Sequence, residues 1–176
     1  YQKNTLNLNF PSEFPRHSNK EKVNIYKNYN RDTLLILSRY NADIKRSIVE
    51  IIDPKNFNVL HTYNHDITFM NSLIDTNSEE HKLAEHSWPE IRFEYNHPLV
   101  TDNGDLISIG SEILFKTDFC SNLIWINQED QYHHSISLDA DENLWVGNYI
   151  YPYSKYVDKV YRNYAKKFFD DGIAKI

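Results

Sequence analysis

The sequence predicts an all-β fold built from short antiparallel strands. Hydrophobic residues make up 40% of the 176 residues and aromatic residues 14%, and aromatic and β-branched side chains favour strands. Short apolar stretches recur between clusters of Asp, Asn and Ser, a pattern typical of strands joined by tight turns. The length suits one domain. Because the chain has only four glycines, we expect asparagine to fill many left-handed turn positions.

The first 30 residues differ in composition from the rest. They are polar and rich in asparagine, and Pro11 and Pro15 interrupt them. Such a segment predicts an extended lead-in with little structure of its own. The folded domain is therefore expected over residues 31–176.

Three related units follow, near residues 31–64, 95–127 and 132–176. Each contains a turn followed by a short apolar strand, and these segments lie at 31–37, 103–109 and 141–146. In the first two units a hairpin follows, at 47–63 and at 112–126. In the third unit an insertion over 148–170 comes first, and only the opening strand of that hairpin is matched, at 171–176. Two short helices are predicted between the first two units, at 69–74 and 77–85.

Repeated units of several strands are typical of a β-propeller, in which each blade has an apolar face that only its neighbours can cover. The chain holds about two and a half such units, whereas closed propellers have roughly four to eight blades. The sequence therefore predicts part of a β-propeller with short helical or loop insertions.

Composition excludes several classes of partner. A net charge of -6 argues against nucleic acid, because phosphate neutralisation requires clustered Lys and Arg. No apolar run is long enough for a transmembrane helix, and we predict no cofactor. Cys120 is the single cysteine, so no intramolecular disulfide can form. The chain begins with Tyr1 rather than Met, and we expect the natural start to be missing.

Two adjacent histidines, His133 and His134, open the third unit. Neighbouring residues of a strand point to opposite faces, so one imidazole is expected to face a central cavity while the other braces the backbone. Strand register decides which one faces inward, and we predict His134. The second unit has His97 at the corresponding place. His97 comes directly before Pro98. It could have a structural role at the start of the strand, or it could line the central cavity.

These segments together resemble the bacterial arylsulfate sulfotransferase family. The resemblance lies in residues 32–37, 48–53 and 59–63 for one blade, 97–107, 113–118 and 122–125 for the next, and 132–136, 139, 143–145 and 170–176 for the blade after it. It spans residues 31–176. One departure is Ser135, where the family usually has an acidic residue.

The resemblance implies a six-bladed propeller that transfers a sulfuryl group from an aryl sulfate donor to a phenolic acceptor. It implies a periplasmic location, or a membrane anchor facing the periplasm. His134 and His133 match a sulfate-contacting position and are the candidate catalytic residues, whereas the family's nucleophilic histidine and its arginine lie in later blades. We therefore expect this chain alone to be inactive. His97 and Trp145 are candidate substrate-binding residues, although packing between blades explains Trp145 better.

Other residues have competing interpretations. His61 and His65 have a spacing that metal ligands use, but no third ligand is identifiable, so a solvated hairpin end is favoured and no metal is predicted. The residues 139–143 resemble the start of a calcium loop but lack its glycine and its final glutamate, so a hairpin turn explains them better. Arg92 fits either a salt bridge or an anion contact.

Two other classes of function stay open. A propeller can bind a ligand or a protein without catalysis, since this fold supports many unrelated functions. A metal-dependent hydrolase could use His133 or His134 as one ligand.

Overall fold

The computed structural model describes residues 33–82, 88–151 and 170–176, which all belong to one compact unit, Asp32–Ile176. The predicted lead-in and most of the predicted insertion lie outside these residues. The described elements are, in order, β1 (Leu35–Asn41), β2 (Arg46–Asp53), β3 (Asn58–Tyr63), α1 (Ile67–Ser72), α2 (Glu79–Lys82), β4 (Asn96–Val100), β5 (Leu106–Gly110), β6 (Ile113–Thr117), β7 (Leu123–Asn127), β8 (Gln131–Leu138), β9 (Leu144–Ile150) and β10 (Asp170–Lys175). The all-β prediction is confirmed.

The strands form three antiparallel sheets, each built from strands that follow one another in the chain. Their orders are β1-β2-β3, β4-β5-β6-β7 and β10-β9-β8, and none of the three is closed. The two predicted hairpins are β2 with β3 and β6 with β7. Strand β10 pairs with β9 and corresponds to the opening strand predicted for the hairpin of the third unit. The first strands of successive sheets touch, β1 with β4 and β4 with β8.

The middle sheet is buried on both faces. Along β5, Leu106 packs into a cluster shared with the first sheet and with α1. Its neighbour Ile107 packs into a second cluster shared with the third sheet. Successive strand residues point to opposite faces, so the apolar run of β5 serves two cores. The β5 residues are all buried, as expected of a strand that is covered on both sides.

The tight turns depart from the sequence expectation about asparagine. In the β8–β9 turn the left-handed residue is Glu142, with φ of 63°, and Asn143 follows it. The side-chain amide of Asn143 donates hydrogen bonds to both carboxylate oxygens of Asp139, each at 2.9 Å. The β6–β7 turn repeats this arrangement, with Ser121 left-handed at 69°. In these turns asparagine therefore follows the left-handed residue and stabilises the turn through the hydrogen bonds that its side-chain amide donates to the aspartate.

Two short helices lie between the first two sheets, as predicted; the second is described over Glu79–Lys82, and the end of its predicted range, 83–85, lies outside the described residues. Helix α1 begins at Ile67, earlier than predicted, because the Asp66 carboxylate caps it by accepting a hydrogen bond from the Phe69 N–H at 2.8 Å. Ile67 and Met70 are its buried residues, and this three-residue spacing places them on one face. In the part of the chain that the structure describes, neither helix has the length and apolar content needed to cross a membrane.

Candidate functional site

A cavity of about 520 Å³ opens between the second and third sheets. Its walls come from the segment before β4, the β5–β6 turn, and strands β8 and β9. The lining includes Arg92, Glu94, Glu112, His133, His134 and Tyr149. Two of the four predicted site residues therefore lie in one cavity.

A bulge in β8 brings both adjacent histidines to this cavity. The pairing with β9 shifts between His133 and Ile136, and His134 has a left-handed backbone, with φ of 61°. A bulge inserts unpaired residues and redirects the side chains that follow. The expected alternation, with the two imidazoles on opposite faces, is therefore interrupted. Both residues line the cavity, and their ring centroids lie 4.5 Å apart in an edge-on contact.

Strand β4 has a related irregularity at His97. Its pairing with β5 shifts between Asn96 and Leu99, and His97 is left-handed, with φ of 44°. His97 is exposed and is not among the residues that line the cavity, whereas Asn96 is. The sequence repeat thus corresponds to a repeated bulge, with a histidine at each, but only the copy in β8 presents its histidine to the cavity.

The two histidines of the pair have different surroundings. The His133 side chain is only 12% exposed, and its Nε2 lies 3.4 Å from the Asp171 Oδ1. Its ring stacks on Tyr149, with centroids 4.0 Å apart and planes inclined by 22°. Neither ring nitrogen has a well-formed hydrogen bond in the described part of the chain. His134 is exposed, so it is the more accessible of the two imidazoles.

Burial lowers the pKa of His133 because desolvation disfavours the imidazolium form. The backbone of Asn148, which lies close to the ring, acts in the opposite direction; a positive charge on His134 would lower the pKa further, and the Asp171 carboxylate raises it. The net lowering favours the neutral form of His133.

Residues that the sequence did not indicate complete the cavity. Glu112 lies in the two-residue β5–β6 turn with a left-handed backbone, φ of 64°, and Glu94 comes from the segment before β4. Burial raises the pKa of Tyr149, and the charges of Glu112 and Asp171 raise it further. No motif marks these residues, because they reach the cavity only through the packing of two sheets.

The structure places Trp145 near the start of β9, beside the β8–β9 turn and outside the cavity lining. Its indole N–H donates to Asp139 Oδ2 at 2.9 Å, and Lys175 Nζ lies 5.5 Å from its ring centroid. The hydrogen bond from Trp145, with those from Asn143 and from the Asp141 backbone, lowers the pKa of Asp139. The Asp139 oxygens are thus occupied by the turn itself, as the hairpin interpretation requires.

The interpretation of His65 as part of a solvated hairpin end is wrong. His65 is only 2% exposed, with Nδ1 2.9 Å from the Tyr95 hydroxyl and Nε2 2.9 Å from the Thr117 hydroxyl. The second sheet covers the end of β3 and buries this ring. Burial, with a smaller contribution from Arg46, lowers the pKa of His65 to about 4. His61 is half-buried and stacks on Phe119 at 3.7 Å.

No three His, Cys, Asp or Glu side chains within residues 33–82, 88–151 and 170–176 come together in an arrangement that could hold a metal ion. Cys120 is exposed and unbonded.

No family model, curated protein or solved structure matches this chain.

Proposed function

We propose that this chain is part of a β-propeller of the sulfuryl-transferring type, and that the cavity beside β8 binds an aryl sulfate ester. The observation that carries the proposal is the bulge at His134. It brings His133 and His134 to the lining of one cavity, which Arg92 also lines.

The arrangement of the sheets supports the propeller. Three antiparallel sheets follow one another in the chain, their first strands touch in order, and apolar clusters fill both spaces between them. Propeller blades have this relation to their neighbours. An experimental structure in which the sheets do not radiate from a common axis would contradict the assignment.

The chemistry of the cavity fits a sulfate ester. In sulfuryl transfer, as in phosphoryl transfer, charge spreads over the equatorial oxygens, so positioned donors contribute most of the stabilisation. Arg92 offers a planar fork of N–H donors, and the exposed His134 offers a further donor. Tyr132 and Tyr149 add phenolic rings to the walls, which suit an aromatic ester.

We propose that this chain binds the aryl sulfate donor and does not supply the nucleophile. None of its histidines matches the nucleophile of the family that it resembles, and no residue here is given that role. We propose a phenol as the acceptor and the periplasm as the location, on the resemblance alone.

Titration calorimetry with 4-nitrophenyl sulfate tests this function. Saturable binding is expected, and His134→Ala should weaken it about tenfold, because a hydrogen bond to a charged group contributes roughly 1.5 kcal/mol or more. His97→Ala is the matched control, since His97 has the same left-handed backbone but lies outside the cavity lining. Absence of saturable binding, or equal effects of the two substitutions, would overturn the proposal.

A second candidate is a non-catalytic propeller that binds a neutral or cationic ligand. Two carboxylates, from Glu94 and Glu112, face the same cavity, and burial keeps His133 neutral. The two negative charges would repel an anion, and a neutral His133 adds no positive charge to offset them. Binding of 4-nitrophenol as tightly as its sulfate ester would favour this candidate.

A further inference from the structure

His133 lies close to a carboxylate two strands away. His133 is on β8 and Asp171 is on β10, with β9 between them. His133 pairs with Gly147, and Asp171 pairs with Tyr149. The imidazole therefore has to cross β9 to bring its Nε2 within 3.4 Å of the Asp171 carboxylate.

Gly147 allows β8 and β9 to approach closely beside this ring. A Cβ at position 147 would lie 2.8 Å from the His133 carbonyl oxygen and 3.8 Å from the Cε1 of its ring. The first distance is too short for any real side chain, so only glycine permits the backbones of β8 and β9 to approach as they do. Tyr149 then supports the face of the ring as it lies across the strand.

The orientation of His133 is fixed by two groups with different tasks. Stacking on Tyr149 sets the plane of the ring, whereas only a polar group can decide which nitrogen carries the proton. The backbone of Asn148 lies close to the ring and favours its protonated form. The Asp171 carboxylate faces Nε2, and a carboxylate favours a proton on the nitrogen that faces it. The Asp171 side chain is 73% exposed, so little packing prevents its carboxylate from moving closer to Nε2 when the imidazole is protonated.

The second imidazole makes this carboxylate relevant to ligand binding. His133 and His134 contact each other edge to edge, so a positive charge on His134 disfavours a proton on His133. The other charged or titratable residues that line the same cavity are Arg92, Glu94, Glu112, Tyr132 and Tyr149. Asp171 is the acidic group that lies against the buried member of the pair.

We propose that Asp171 is a positioning residue for His133. It holds the tautomer with the proton on Nε2 and allows the His133–His134 pair to take up a proton when an anion enters the cavity. This inference rests on the proposed function, because only an anionic ligand would be stabilised by the positive charge of the extra proton.

Nitrogen-15 and proton NMR of the imidazoles tests the inference on the unliganded chain. In the wild type, His133 is expected in the Nε2–H tautomer. In Asp171→Asn its titration midpoint should fall and the two tautomers should mix, and Asp171→Glu should restore both properties. Asp170→Asn, which removes the same charge from the neighbouring position of β10, is the control and should leave His133 unchanged.

An unchanged tautomer and midpoint in Asp171→Asn would overturn the inference, as would an equal shift in Asp170→Asn. Circular dichroism establishes that each variant is folded. The readouts are taken without ligand, so they are independent of calorimetry with 4-nitrophenyl sulfate. Loss of the tautomer in Asp171→Asn without wild-type binding of the ester would leave the positioning role intact, and would refute the proposed function together with the uptake of a proton on anion binding.

Discussion

Acidification should destabilise this fold through His65. The ring is buried between the first two sheets, and both nitrogens lie 2.9 Å from hydroxyl groups, of Tyr95 and Thr117. It also meets the Phe115 ring edge-on at 5.6 Å. A proton added to this ring would place a charge in an apolar core without a carboxylate partner, and the pKa of His65 is accordingly lowered to about 4.

The size of the effect follows from the difference between the folded and unfolded states. The unfolded chain takes up the proton at a pKa of about 6.5, whereas the folded chain does so only near 4. Because the folded value is the lower one, the unfolded state binds the proton first as pH falls. The contribution of His65 is therefore fully present above about pH 6.5, and roughly 2 to 3 kcal/mol of it is lost by pH 4.5.

Urea unfolding of the wild type and of His65→Gln at pH 7 and pH 4.5 measures this contribution. At pH 7 the variant should be less stable by about 1 to 3 kcal/mol, because glutamine leaves part of the buried network without a partner. At pH 4.5 that difference should shrink by roughly 2 to 3 kcal/mol. Carboxylates titrate in both proteins and cancel in the comparison. Equal losses of stability in the two proteins between these pH values would refute the reasoning.

Three further predictions concern stability, each measured by chemical or thermal unfolding. His81→Leu should raise the free energy of unfolding by about 1 kcal/mol, because His81 is 5% exposed and neither ring nitrogen has a hydrogen-bond partner among the residues that the structure describes. Gly110→Ala should lower it by about 1 to 3 kcal/mol, since the new Cβ would lie 2.1 Å from the Phe93 ring. Asp139→Ala should lower the melting temperature, because the β8–β9 turn loses the bonds that Asn143 makes to the carboxylate.

Each of these predictions has a contrary outcome. A lower free energy of unfolding in His81→Leu would show that a ring nitrogen of His81 has a hydrogen-bond partner. Additive effects of Gly110→Ala and Phe93→Leu would contradict a clash between them, since a smaller ring should relieve it. An unchanged melting temperature in Asp139→Ala would show that the turn holds without its carboxylate.

The strands and hairpins could be predicted because their signals are local. The run that contains Ile107 and Ile109 is apolar and bounded by turn residues, and such a run predicts a strand whatever surrounds it. The burial of His65 could not be predicted, because it depends on the second sheet, which supplies Tyr95 and Thr117 from distant parts of the chain. Local polarity gave no indication of this cover.

The candidate site was predictable only in part. The adjacent histidines mark its place in the sequence, but the bulge that directs both to one cavity arises from the register between β8 and β9. Alternation along a regular strand predicts the opposite arrangement. Glu112 is a turn residue by its sequence, and it joins the site only because the β5–β6 turn packs beside β8.

The central claim is that the histidine pair forms one wall of an anion site. Carbon-13 NMR of the imidazole rings during addition of 4-nitrophenyl sulfate tests it most directly, with His65 and His81 as internal controls outside the cavity. Saturable shifts of His134 and His133, with the two control rings unmoved, are the predicted result. Shifts that do not saturate, or that appear equally in all four rings, would contradict the claim.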